Sequence, residues 1–187
     1  QVVAAPNQPD PGQAVSVTGR LPVGSTADLV YKVMFGAEQT VPMLDDAASP
    51  GGAGDGFYAG TIPGQAAGRL VRYRLAAESG GTAFTFPAAG EGYTYEGVVV
   101  RDPAVVTNLP VFSWFMEDAV HDDLLANHRY DNVTGAAVIA YQGQVFDGAT
   151  MRVRGQSSRS LPKVNWKIEL PAGREITLPM FPYPLDE

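Results

Sequence analysis

Between residues 13 and 100 the chain is a succession of short β-rich stretches, each closed by glycine, proline or an Asp-Gly pair. This punctuation constrains the fold more than any single motif. Val15 and Val17 alternate with polar neighbours, Leu29 to Phe35 forms a longer run, and Thr40 to Leu44 precedes a glycine-rich loop from Asp45 to Gly56. Phe57 to Ile62 stops at Pro63-Gly64. Arg69 to Ala77 sets Leu70, Arg72 and Arg74 against Val71, Tyr73 and Leu75, the period of a half-buried strand. Thr82 to Phe86 and Tyr93 to Val100 complete the series. The 21 glycines and 15 prolines are too few for a low-complexity chain and suit many strands joined by turns.

Roughly seven strands over about 90 residues is the pattern of an immunoglobulin-like or fibronectin-III-like β-sandwich, without the Cys–Trp–Cys core signature. The sandwich is expected over residues 1–103, and QVVAAPNQPDPGQ at its start reads as a linker. Residues 101–108 then form a junction bracketed by Pro103 and Pro110. A second unit, 104–187, is α+β, so the chain as a whole is mainly β. Val111 to Met116 is a strand and Glu117 to His128 has helical spacing, with Val120, Leu124 and Leu125 on one face. Ala136 to Tyr141 and Val145 to Arg154 read as a hairpin around Gln142-Gly143-Gln144, and Val164 to Leu170 as a further strand. Met180, Phe181, Tyr183 and Leu185 sit among prolines with no closing element, so the chain is expected to be a piece of something longer.

Several chemistries are excluded or disfavoured. With no cysteine there is no disulfide, zinc-thiolate site or thiol catalysis. A formal net charge of −7 argues against general nucleic-acid binding. No apolar run approaches the roughly 18 residues of a membrane helix, and the amino end has no signal-peptide features. The two histidines, His121 and His128, are seven apart and lack HExxH spacing, which leaves surface or capping roles and no Ser–His–Asp triad. Glu117, Asp118, Asp122 and Asp123 read as a solvated helix face, with a metal or acid–base role as the alternative. Asp45, Asp46 and Asp55 form a turn or, alternatively, a calcium loop.

One segment inverts the charge balance. Met151 to Leu170 carries Arg152, Arg154, Arg159, Lys163 and Lys167 against a single acid, Glu169. Its Gly155-Gln156-Ser157-Ser158-Arg159-Ser160 loop combines hydroxyls and backbone N–H groups with cations, the donors that an anion such as phosphate needs. The bland alternative is a β-hairpin with a polar tip. The Walker A pattern and the kinase GxGxxG are both absent. If Val164, Trp166 and Ile168 point one way, Lys163 and Lys167 share the other face, and Lys167 can reach a phosphate from its strand.

The run Leu109-Pro110-Val111-Phe112, the acidic helix, Arg152-Val153-Arg154-Gly155-Gln156-Ser157-Ser158-Arg159, Pro162-Lys163 and Trp166 to Leu170 resembles the start of the spore-coat CotH kinase family. The likeness covers about 109–187 and is most specific at 152–170. The first half resembles the immunoglobulin-like module that often precedes CotH domains in bacterial surface proteins, through Gly54 to Gly64 and Gly68 to Arg74. The resemblance implies an atypical, exported or cell-surface bacterial kinase whose full-length form uses ATP and Mg2+ to phosphorylate serine on protein substrates. It implies that residues 110–170 resemble the start of a kinase N-lobe. Arg154, Gly155, Ser157, Ser158, Lys163 and Lys167 are then the nucleotide-side residues. The family's metal-binding and catalytic acids lie further along, so this chain alone is expected to be inactive, with open strand edges prone to self-association. The competing expectation is a non-enzymatic surface module that binds carbohydrate or protein, with Tyr58, Tyr93 and Tyr95 as stacking candidates.

Overall fold

The structure, a computed structural model, describes residues 2–176. The fold is mainly β and divides into two units, Gln1–Pro110 and Val111–Glu187.

In the first unit β1 (Val2–Ala5), β2 (Val15–Arg20) and β5 (Phe57–Ile62) form a three-stranded antiparallel sheet in the order β1-β2-β5. β3 (Thr26–Val33), β4 (Gln39–Met43), β6 (Leu70–Ser79), β7 (Thr82–Phe86) and β8 (Glu96–Val99) form the second sheet, ordered β4-β3-β6-β7. β6 is long enough to pair with β7 through Leu75–Ser79 and with β8 through Leu70–Tyr73. The two sheets share one core, Val15, Val17, Tyr58 and Ile62 meeting Leu29, Tyr31, Val71, Tyr73 and Leu75. The alternation in β6 sets this directly, because Tyr73 lies opposite Tyr31 and Leu75 opposite Leu29. Burying each such side chain contributes about 1.5–3 kcal/mol.

β1 corrects the linker expectation for the amino end. It pairs with β2 over four residues, and Val2 and Ala4 pack against the core. Val-Val-Ala-Ala lacks the apolar–polar alternation that marks a strand, so only the pairing reveals it.

In the second unit β9 (Phe112–Phe115), β10 (Gly135–Tyr141), β11 (Gln144–Arg154) and β12 (Asn165–Glu169) form an antiparallel sheet ordered β12-β11-β10-β9. β10 and β11 meet at Gln142-Gly143, both with positive φ (48° and 78°), and Gln144 already pairs with Tyr141. That is a two-residue hairpin turn, shorter than the three-residue one expected, and positive φ at both positions is what its twist requires. Helix α1 (Asp118–Ala126) covers one face through Val120 and Leu124, and Gly135 leaves it room. A Cβ at Gly135 would lie 2.5 Å from Val120 Cγ1.

The sheet brings tryptophans from its two outer strands together across one face. Trp114 on β9 and Trp166 on β12 occupy opposite edge strands, which in a flat four-stranded sheet lie about 14 Å apart. Their ring centroids are nonetheless 5.9 Å apart. The pairing shifts register between Ala137 and Ile139, an irregularity of the kind that bends a strand.

Candidate functional site

The charged face of the second sheet is built by strand register. Arg152 lies directly opposite Lys167, and Arg154 opposite Asn165. Val153 and Met151 are buried, and Trp166 and Ile168 pack against the core below α1. Arg152, Arg154 and Lys167 therefore share the face turned away from the helix. Two like charges directly opposite repel. Lys167 is relieved by an ion pair with Glu169 Oε1 at 2.9 Å, and Glu169 also accepts from Thr150. The Lys167 hydrogen bond, helped by its charge and that of Arg152, holds the Glu169 carboxyl below its ordinary value.

The connection between β11 and β12 is more structured than a polar tip. Gly155 sits at φ 112°, a conformation that favours glycine, and the Ser158 hydroxyl lies where its Cβ would be. Ser157–Ser160 form a 3₁₀ turn in which Ser160 Oγ donates to the Ser157 carbonyl at 2.7 Å. Ser157 and Lys163 are exposed and Ser158 is half-buried. Lys163 precedes β12 instead of belonging to it, so it does not share a strand face with Lys167 as the alternation suggested. The bend from Leu161 to Lys163 breaks that period. Among the described residues, no ion pair engages Arg154 or Lys163.

Arg159 is docked against the 128–133 loop. Its Nη1 donates to the Asp131 carbonyl at 3.0 Å and its Nη2 to Asn132 Oδ1 at 3.2 Å. In return Arg129 donates to the carbonyls of Arg159 and Leu161. Arg152 Nη1 adds a bond to the same Asn132 oxygen at 2.9 Å. The 128–133 loop and the RGQSS loop thus hold each other. His128 steadies the arrangement, with Nδ1 2.9 Å from Asp131 Oδ2 and Nε2 3.6 Å from Asp123. The Asp131 hydrogen bond, with the charges of Asp131 and Asp123, raises the His128 pKa above its ordinary value.

Other candidates resolve differently. Asp45 accepts from the backbone of Gly54, Asp55 and Gly56, and Asp55 from that of Phe57. These carboxylates organise a turn, the first of the two readings. Among the described residues no group of three histidine, aspartate or glutamate side chains is placed to hold a metal. Tyr58 is 5% exposed and Tyr95 9%, which removes them as stacking surfaces. Tyr95 instead donates to Glu38, and Lys32 Nζ lies 4.1 Å over its ring. No described helix is long and apolar enough to cross a membrane. The closing Met180 to Leu185 segment lies outside the described residues.

Sequence reading missed an aromatic cluster. His121 stacks on Trp114 at 5.9 Å and leans on Trp166 at 5.6 Å, and Trp114 remains 40% exposed. Trp166 lies 45 positions beyond His121 and on a different element, and nothing local foretells its meeting with His121 and Trp114.

No family model matches the chain, and no curated protein matches it. Among solved structures it is similar to the cycloalternan-forming enzyme of Listeria monocytogenes, solved with a pentasaccharide substrate (12% identity, TM-score 0.38, covering 91% of this chain and 14% of that one). It is similar to the same degree to the uncharacterized protein lmo2446 of Listeria monocytogenes EGD-e. A mutant of Kfla1895 gives 16% identity and a TM-score of 0.34, over 82% of this chain and 18% of that one. Likeness at this level assigns neither fold family nor activity, and this chain spans only a small share of each of those proteins.

Proposed function

We propose that residues 104–187 are the opening part of a CotH-like atypical protein kinase N-lobe, preceded by an immunoglobulin- or fibronectin-III-like accessory module. The observation that carries this reading is the register that brings the two motif halves side by side. Arg152 and Arg154 of the RGQSS strand lie on one face with Lys167 of the PKxxWK strand. That face offers guanidinium and ammonium donors to the phosphates of ATP, and Gly155 lets a ligand approach the backbone. Ser157, Ser158 and Lys163 border it at the loop.

The described residues supply no metal cluster, so phosphoryl transfer requires groups beyond them. In the full-length protein the acceptor is serine on a protein substrate, with ATP and Mg2+ as cofactors, at a bacterial cell surface. The outer edges of β9 and β12 are the places for self-association. Calorimetric titration of ATP into this chain, and into one extended at its carboxyl end, tests the reading. Weak binding here and Lys167-dependent binding in the longer chain are expected. Equally tight binding by both would overturn the idea of a shared, incomplete site.

A second reading, a carbohydrate-binding surface module, is favoured by the partly exposed Trp114 beside Trp166 and His121. Indole faces stack on sugar rings through the same apolar contact that drives aromatic packing. A glycan array decides: retained sugars lost with Trp114→Ala support this reading, and an empty array excludes it.

A further inference from the structure

The oxygen of Asn132 is shared by two guanidiniums, Arg152 Nη1 at 2.9 Å and Arg159 Nη2 at 3.2 Å. A neutral carboxamide is a weak partner for two full positive charges, whereas one oxygen of a phosphate suits such a pair. Arg159 carries a second sign of the same mismatch. Its Nε is buried and has no acceptor among the described residues. In a guanidinium the Nε–H and the Nη2–H point from one edge in the same direction, a fork that matches two oxygens of a single oxyanion. Asn132 satisfies one tine of that fork and leaves the other empty.

The surroundings favour a displaceable amide. Arg152 is fixed on β11, and the turn bearing Arg159 is held by Arg129 through the carbonyls of Arg159 and Leu161. Asn132 itself lies on an exposed loop. The nearby carboxylates are committed elsewhere, Asp131 to His128 at 2.9 Å and to the Val133 amide at 3.1 Å, Glu169 to Lys167 at 2.9 Å.

We propose that Arg152 and Arg159 form an oxyanion-binding site for a phosphate group, in which the Asn132 carboxamide is a built-in placeholder that the ligand displaces. One ligand oxygen takes the place of Asn132 Oδ1 between the two arginines, and a second accepts from Arg159 Nε. Arg159 and Asn132 lie outside the set assigned to the nucleotide and Arg152 borders both, so the site stands on its own geometry whether or not the chain is part of a kinase.

Inorganic phosphate is the probe, titrated by calorimetry at low ionic strength, with the Arg159 Nε–H resonance followed by NMR. Asn132→Ala empties the site and is expected to bind phosphate about tenfold more tightly than the native chain, since no internal acceptor competes. Asn132→Asp supplies a resident carboxylate and should abolish binding. Arg159→Lys keeps the charge, removes the fork and should also abolish it. Equal affinity in all four proteins, or no binding to a folded Asn132→Ala chain, overturns the proposal. ATP provides a separate arm. Asn132-dependent phosphate binding with no gain for ATP keeps this site and counts against the kinase reading. ATP binding that ignores Asn132 and Arg159 does the reverse.

Discussion

Arg129 and Arg159 each serve the other's loop: Arg129 donates to the Arg159 carbonyl, and Arg159 donates to the Asp131 carbonyl two residues beyond Arg129. Two segments separated by about 30 positions are thereby joined through charged donors on neutral backbone acceptors. Such bonds are stronger than neutral ones and leave orphaned carbonyls when one partner is removed.

Arg129→Ala therefore loosens the RGQSS loop from outside it. The expected loss is about 1–3 kcal/mol in denaturant unfolding, because charged hydrogen bonds contribute in that range. Hydrogen exchange should accelerate at Ser157 to Leu161 while the first unit stays unchanged. Unaltered protection at those amides would show that the loop is held by something else.

Gly155→Ala is expected to cost about 1–3 kcal/mol, the range for a residue forced into a sparsely populated backbone region. The Ser158 hydroxyl can rotate away from a new Cβ, but the φ of 112° cannot be relieved without moving the turn. Adding Ser158→Gly to Gly155→Ala should recover little of the loss. Full recovery would mean that the side-chain contact, not the backbone, is the constraint.

Gly135→Ala tests how tightly α1 lies on the sheet. Its Cβ would stand 2.5 Å from Val120 Cγ1 and 2.8 Å from Leu124 Cδ1. Overpacking of this kind costs about 1–3 kcal/mol. The companion change Val120→Ala should restore part of it in a thermal melt, and additive losses would place the clash elsewhere.

The His128 imidazole titrates above its ordinary value of 6.5, chiefly through its hydrogen bond to Asp131. A raised folded-state pKa means that the protonated form is favoured by folding. Its contribution is complete below the unfolded value and fades as pH rises through the folded one. NMR titration of the native chain and of Asp131→Asn checks this; the variant should titrate lower, and an unchanged midpoint would remove Asp131 as the cause.

Glu38 behaves in the opposite sense. Arg74 holds its two oxygens at 3.2 Å each and Tyr95 adds a third bond, which together keep the carboxyl below its ordinary value of 4.5. A depressed carboxylate stabilises the fold above the unfolded value and loses that contribution as pH falls through the folded one. Glu38→Gln should make the acid side of the stability profile flatter, measured by urea unfolding between about pH 2 and pH 6. A parallel profile would leave the Arg74 pairing without energetic weight.

The strands of both units were legible because their signals are local. Val71, Tyr73 and Leu75 alternate into the sandwich core, although Leu70 and Arg72 between them are buried as well, and glycine and proline mark the ends. β1 was not legible, since Val2–Ala5 carries no alternation and becomes a strand only by pairing with Ser16–Gly19. Among the site residues, the special role of Gly155 could be read from its place before a serine-rich turn. The engagement of Arg159 and Arg152 by Asn132 could not, because Asn132 follows the helix in an unremarkable polar stretch.

What the sequence determined by itself was where the chain extends, turns and coils, and which stretch gathers cations against a net charge of −7. Periodicity and turn chemistry act over a few residues, so they are written in the order of residues. Only the tertiary structure decided that Arg152 faces Lys167, that Arg159 is clasped by the 128–133 loop, and that tryptophans from opposite sheet edges meet around His121. Those relationships follow from sheet register, side-chain packing and loop docking, which join distant segments in ways that no local pattern encodes.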